Sequence, residues 1–351
     1  MAILFGVILN SEFNALLTLD EVASTFFPSP MVTSHPSAVL ETTKELPSFS
    51  VIVPTYNRLS QLTLCLQSLA NLRYPTDRYE VIIVDDGGSV AIDPVVASFN
   101  ERLDVTLIRQ ENAGPATARN TGAKHAKGDF LAFTDDDSAP APDWLLMFAE
   151  QFAVTPNHLI GGRTLNALPK NLYSVASQQL IAYLYDYYNS KAKDQNATPA
   201  VFFTSNNLAI PTKSFHSVGG FDITFPLAAG EDRELCDRWL YFGHKMTYVP
   251  QAIMYHAHAM TLRSFWCQHF NYGRGAFYFH QKRGNRNQDR IKVEPLGFYL
   301  NLLSYPFSKS YSLRGIVLVL LLLCSQIANV LGYFWEKLGK RIFGKVLKLC
   351  R

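Results

Sequence analysis

Phe130–Ser138 reads FLAFTDDDS, an apolar run closed by three consecutive acids, Asp135, Asp136 and Asp137. Adjacent carboxylates repel and raise one another's pKa unless a cation relieves them. Their oxygens suit a hard divalent ion such as Mg2+ or Mn2+. Two other apolar runs end in polar residues: FSVIVPTYN with Thr55 and Asn57, and YEVIIVDDG with Asp85 and Asp86. Chemistry at the ends of three such runs requires elements that bring those ends together.

The pattern supplies them. The apolar runs beginning at Phe49, Tyr79, Leu103 and Asp129 read as buried strands. Between the first two, Leu62, Cys65, Leu66 and Leu69 recur at helical spacing, with Ser60 as a candidate cap. GPATARNTGAKHA is helix-like, with Pro115 suited to a first turn. Strand, helix and strand in alternation predict an α/β fold with a mainly parallel sheet flanked by helices. In such sheets ligands sit beyond the carboxyl ends of the strands, so the three polar ends should share one edge. From 161 to 260 the pattern is less regular, though GEDRELCDRWL reads as a helix with Leu235, Trp239 and Leu240 on its apolar face.

The 351 residues carry a formal charge of +3, and the first 280 hold no long basic run, so nucleic acid is not an expected partner. The five cysteines are scattered, without C-x-x-C, and read as reduced thiols. Residues 1–47 form an irregular arm with Pro28, Pro30 and Pro36. Its apolar start lacks a basic flank and is broken by Glu12, unlike a signal peptide. The end of the chain differs. GIVLVLLLLCSQIANVLGYFW, residues 315–335, is uncharged and about as long as the roughly 20 residues that cross a bilayer. Lys337, Lys340, Arg341, Lys345, Lys348 and Arg351 follow it. A C-terminal hydrophobic membrane-associated helix is expected, spanning or lying in the interface.

Five segments in order resemble glycosyltransferase family 2: VIVPTYNR, VIIVDDGGS, NAGPATARNTGAKHAKGDFLAFTDDD, GGFDITF with GEDRELCDR, and YHAHAMTLRSFWCQHFNYGRG. The resemblance implies a Rossmann-like GT-A domain over 48–275, followed by an aromatic and basic region over 276–351. It implies an inverting, metal-dependent transfer of a sugar from a nucleotide-diphosphate sugar to a hydroxyl of a glycan or lipid-linked acceptor. By that resemblance Asp135 and Asp137 are the outer acids of the D-x-D motif, with Asp137 the direct ligand of Mn2+ or Mg2+. Asp136, between them, is expected to point elsewhere because strand side chains alternate, yet belongs to the same nucleotide-sugar site. His256 is the candidate third ligand. Pro54, Thr55, Tyr56, Asp85, Asp86 and Arg119 are assigned to the nucleotide and its diphosphate. Asp232 is the candidate base, with Glu231 in reserve. Arg274 and Gly275 are candidates to close over the donor.

Gly88 departs from the family pattern, where serine is usual. A dinucleotide-dependent oxidoreductase would need G-x-G-x-x-G after the first strand, and that turn reads PTYNRLS. A processive polysaccharide synthase would carry Q-x-x-R-W after the E-D motif. Here Arg238 and Trp239 fall on the E-D helix itself, with Leu235 at the glutamine position. Single addition is therefore expected. A membrane-tethered sugar-nucleotide binder without activity is the remaining alternative, opposed by the intact acids at 135, 137 and 232. Sugar nucleotides are cytosolic, which predicts a membrane-associated protein with its catalytic domain on the cytoplasmic side. One full span would then place the basic tail outside, against the positive-inside rule. An interfacial helix, or a partial second pass by residues 295–307, would avoid that.

Overall fold

The computed structural model describes residues 46–189, 200–287, 294–308 and 312–339. All but the last two residues of the expected N-terminal arm, and the basic tail after 339, lie outside them. The elements in chain order are β1 (Phe49–Thr55), α1 (Leu59–Leu69), β2 (Tyr79–Asp86), α2 (Asp93–Ala97), β3 (Val105–Gln110), α3 (Pro115–His125), β4 (Phe130–Phe133) and β5 (Ser138–Pro140). Then come α4 (Trp144–Val154), β6 (Leu159–Asn166), α5 (Leu172–Asn189), β7 (Leu208–Pro211), α6 (Thr212–Ser217), α7 (Glu231–Tyr241) and β8 (Met246–His256). Last are α8 (Leu262–Asn287), α9 (Leu296–Ser304) and α10 (Leu313–Leu338).

β1 and β2 are buried at every position, which is why they read as unbroken apolar runs rather than alternating ones. Alternate residues still serve opposite faces. Val51, Val53, Val81 and Ile83 pack under α1 and α4, against Leu62, Leu66, Trp144 and Phe148. Ile52, Ile82, Val84 and Phe133 pack on the other side with Ala118, Phe215, Leu235 and Trp239 from α3, α6 and α7. The α1 face is as expected, but the helix starts at Leu59 with Arg58 in the cap position, so Ser60 is not its cap.

The strands run in the order β3-β2-β1-β4-β7-β6-β8-β5. The half from β3 to β4 is wholly parallel. Beyond it the sheet is mixed: β7 is antiparallel to β4 and β6, β8 is parallel to β6, and β5 is antiparallel to β8. Parallel order in the first half gathers Thr55, Asp85 and Asp86 at one edge. β4 stops at Phe133, and β5 pairs at the far edge of the sheet, so the chain crosses the strand tips between them. Asp135–Asp137 lie in that crossing, which is a turn and not a strand end.

α8 runs unbroken across position 275, so the expected boundary there falls inside a helix. Among the described cysteines, Cys65, Cys236 and Cys324 are free.

Candidate active site

A cleft of about 540 Å³ opens over the strand tips. Pro54, Thr55, Tyr56, Asp86, Arg119, Asp135, Asp136, Asp137, Glu231, Asp232 and His256 all line it. Of the residues assigned to the nucleotide, the metal and the base, Asp85 is not in that lining; nor are Arg274 and Gly275. Asp85 Oδ1 accepts the Gly88 N–H at 2.9 Å, and its Oδ2 lies 3.8 Å from Arg109 Nε. Asp86 organises the floor. It accepts from Gln110 Nε2 at 2.7 Å, Ala113 N at 2.9 Å and Gly114 N at 2.8 Å, pinning the start of α3 to the end of β2.

That start aims Arg119, which is buried. Its Nη2 donates to Asp135 Oδ1 at 2.7 Å, and its Nη1 lies 3.4 Å from Glu231 Oε1. One guanidinium thus joins the β4–β5 turn to the first turn of α7. α7 is entered through Gly230, whose φ of +93° lies in the left-handed region that favours glycine. A Cβ there would also crowd the Gly275 carbonyl oxygen at 3.2 Å. The abrupt entry brings Glu231 and Asp232 into the cleft together. Burial first, and then the Asp232 charge, pushes Glu231 up to about 7. Burial also raises Asp232, whose Oδ1 accepts the Arg233 N–H at 2.7 Å.

Asp136 does not point away from the site. It belongs to a turn, so strand alternation does not apply, and its carboxylate accepts from Thr55 Oγ1 at 2.8 Å and Arg58 Nη1 at 3.2 Å. Burial, reinforced by the Asp137 charge, pushes it up to about 6 despite Arg58 and Thr55.

Asp137 Oδ2 accepts from Arg58 at 3.0 Å, and His256 Nε2 stands 3.2 Å from its Oδ1. Burial opposes ionisation of Asp137, but the charges of His256 and Arg58 outweigh it and hold the pKa below the usual carboxylate range. Burial likewise disfavours a charged His256, and Asp137 outweighs it, raising the imidazole pKa. The ligand atoms of Asp137, His256 and His258 lie within 4.8 Å of one another. Asp137 Oδ1 is buried and faces His256 Nε2 without a well-aligned hydrogen bond. A buried carboxylate oxygen facing two imidazoles fits a divalent cation that accepts both oxygen and nitrogen donors. Asp135 stands apart from this group, on Arg119.

Arg58 carried no role in the sequence reading, although it closes VIVPTYNR. A single cation in a loop has no periodicity to mark it, and only the fold shows that it faces two acids. The uncharged wall of the cleft was also unread: Ser177 and Gln178 from α5, Asn206, and Gln268, Asn271 and Tyr272 from α8. Arg274 does not close over the cleft. Its Nε donates to Glu336 Oε1 at 2.6 Å, on the α10 side of α8.

Residues 50–219 match the sequence profile of Glycosyl transferase family 2. The chondroitin synthase of Escherichia coli is 31% identical in an alignment 235 positions long that covers 59% of this chain and 34% of that protein. The glycosyltransferase AglE of Haloferax volcanii is 28% identical over 216 residues, 61% of this chain and 68% of that one. The hyaluronan synthase of Pasteurella multocida is 28% identical in an alignment 237 positions long that covers 59% of this chain and 24% of that protein. The chain thus matches a quarter to about two thirds of the length of these relatives. The Pyrobaculum calidifontis mannosyltransferase PcManGT, solved with GDP-Man and Mn2+, superposes with a TM-score of 0.59 at 20% identity, covering 91% of this chain and 99% of that one. Staphylococcus aureus TarS 1-349, solved with UDP-GlcNAc, gives 0.50 at 18% identity, covering 83% of this chain and 90% of that one.

Residues 50–219 therefore belong to glycosyl transferase family 2, and the fold is the GT-A fold. The domain is a glycosyltransferase domain.

Proposed function

We propose that the protein is an inverting, metal-dependent glycosyltransferase that moves one sugar from a nucleotide-diphosphate sugar to an acceptor hydroxyl. The observation that carries this reading is the cleft itself, where a cation-binding group, Asp137 with His256 and His258, opens into the same space as Glu231 and Asp232. Pro54, Thr55 and Tyr56 form the nucleoside side, with Tyr56 exposed at the mouth for stacking on a base. Asp86, or Asp85 behind it, takes the ribose or base. Asp137, His256 and His258 hold the cation, with Asp135 reaching the donor beside Arg119. A bound divalent cation, Mn2+ or Mg2+, supplies Lewis acidity toward the departing diphosphate. Two imidazoles among three donors favour Mn2+ over Mg2+.

Asp232 takes the proton of the acceptor hydroxyl. Arg119 leaves Asp232 free by engaging the neighbouring Glu231. Transfer in one displacement inverts the anomeric centre and requires no enzyme nucleophile. The uncharged polar wall of α5 and α8 suits an acceptor rich in hydroxyl groups, hence a glycan or the glycan of a lipid-linked acceptor. The apolar α10 supports association with a membrane surface, and the cytosolic supply of sugar nucleotides supports a catalytic domain toward the cytoplasm.

The test is release of nucleoside diphosphate from a panel of sugar nucleotides with Mn2+ and glycan acceptors, with the product weighed. A product heavier by one sugar supports the reading. No release from any donor, by protein that binds Mn2+ and sugar nucleotide, would favour an inactive binder. The matches to chondroitin and hyaluronan synthases favour a second reading, processive polymerisation, which the same assay would reveal as a ladder of products.

A further inference from the structure

Among the described residues α10 is the one helix long and apolar enough to cross a membrane, with a mean hydropathy of 2.2. It is nevertheless fastened lengthwise to the domain. Its buried stripe is Gly315, Leu318, Leu322, Ser325, Ala328 and Gly332. Leu318 packs with Ala176 of α5 and Phe265 of α8. Leu322 packs with Leu180, Tyr183 and Leu302. Farther on, the α8 and α10 backbones meet: a Cβ on Gly332 would lie 1.9 Å from the Phe270 carbonyl oxygen, and one on Gly273 1.8 Å from that of Asn329. At the end of the seam Glu336 accepts from Arg274 Nε at 2.6 Å and Tyr278 Oη at 2.9 Å. From 315 to 336, at 1.5 Å per residue, the seam is about 32 Å long, all the length a crossing would need.

The other face of α10 carries Ile316, Leu320, Leu323, Ile327, Val330 and Phe334, each between 39% and 56% exposed. If α10 crossed a bilayer, α8 would enter the hydrocarbon with it. Alongside the seam α8 bears the cleft residues Gln268, Asn271 and Tyr272, and the cleft they wall would be carried in with them. Such groups are expensive in lipid.

We infer that α10 lies in the plane of the membrane, its packed face toward the domain and its open face in the acyl boundary of an anionic lipid surface. Charge matches that occupant. Lys337 is exposed near the end of α10, and residues 340–351, KRIFGKVLKLCR, add five basic side chains and no acid. The chain after Gly339 then has no bilayer to cross, and the conflict with the positive-inside rule disappears. α8 is a wall of the cleft on one side and the bed of α10 on another. With α8 and then α10 between them, the cleft stands about two helix diameters, roughly 20 Å, from the acyl boundary, within reach of an extended acceptor displayed there.

The experiment is flotation of the full-length protein with phosphatidylcholine vesicles, with and without phosphatidylglycerol, combined with protease treatment of a C-terminal epitope on protein added to sealed vesicles. The inference predicts flotation strengthened by the anionic lipid, a roughly tenfold or greater loss of bound protein for Ile327→Glu with Val330→Glu, and complete removal of the epitope. Leu320→Glu with Leu323→Glu serves as a second exposed pair, and an unchanged melting temperature shows either variant folded. An epitope protected by the bilayer means a spanning helix and overturns the inference. So does flotation indifferent to both pairs, or a solution dimer that they split, which would assign the face to a second copy. None of these readouts involves sugar transfer, so failure here leaves the transferase reading standing.

Discussion

The guanidinium of Arg119 stands 3.4 Å from the carboxylate of Glu231, from which it is separated by 112 residues of chain. The same side chain holds Asp135, so it ties the metal-side turn to the base-side helix. Arg119 is 5% exposed at its side chain and Glu231 7%. Removing one partner of a buried pair leaves an uncompensated charge. Arg119→Ala is expected to destabilise the fold by about 3 kcal/mol and to abolish transfer, measured by denaturant unfolding alongside the assay. Unchanged stability would show that the pair is not formed.

Asp232→Asn removes the proposed base and leaves the cleft shape intact. Turnover should fall between roughly 100-fold and 10,000-fold, with donor affinity within a factor of a few. Glu231→Gln should cost less. A larger loss for Glu231→Gln would exchange their roles.

Chelation should stop transfer, and Mn2+ should restore it better than Mg2+. Asp137→Ala and His256→Ala should each weaken Mn2+ binding roughly tenfold or more, read by titration calorimetry without substrate. His258→Ala should do the same. Unaltered affinity in all three would place the cation elsewhere.

The acid pair predicts a pH dependence. Glu231 is pushed up to about 7, chiefly by burial and then by Asp232, from an ordinary value of 4.5. The two titrate as a pair, so kcat/KM should rise with pH through about 7. The sign for stability is opposite. Between 4.5 and 7 the folded state keeps a proton that the unfolded chain has lost, so this contribution to stability declines as pH rises through that window. Glu231→Gln should flatten the stability profile there and lower the midpoint of the rate profile.

Most of the parallel half of the fold was legible because β1 and β2 are buried at every position, β4 nearly so, and polar residues follow each of them; β3, at the sheet edge, is partly exposed. The α1 and α7 faces followed from leucines, a cysteine and a tryptophan at helical spacing. β5 to β8 were not legible, because they are short or partly exposed and pair across long stretches of chain. The acids at 135 and 137 were legible as a cluster, but the direction of Asp136 was not, since the sequence does not show that β4 ends at Phe133. His256 was legible as a candidate ligand, and His258 stands two positions on in the same run. That both join Asp137 depends on β8 lying beside β5, a pairing set by the antiparallel half. The apolar run at 315–335 was plain, whereas its seam with α8 rests on Gly273 and Gly332, small residues whose meaning appears only when two backbones touch.

The most direct test of the central claim is anomalous diffraction from crystals grown with Mn2+ and a nucleoside diphosphate. The account predicts one strong peak within coordination distance of Asp137 and His256, with the diphosphate between that ion and the first turn of α7. A peak away from the β4–β5 turn, or a nucleotide bound outside the cleft that holds Asp232, would contradict it.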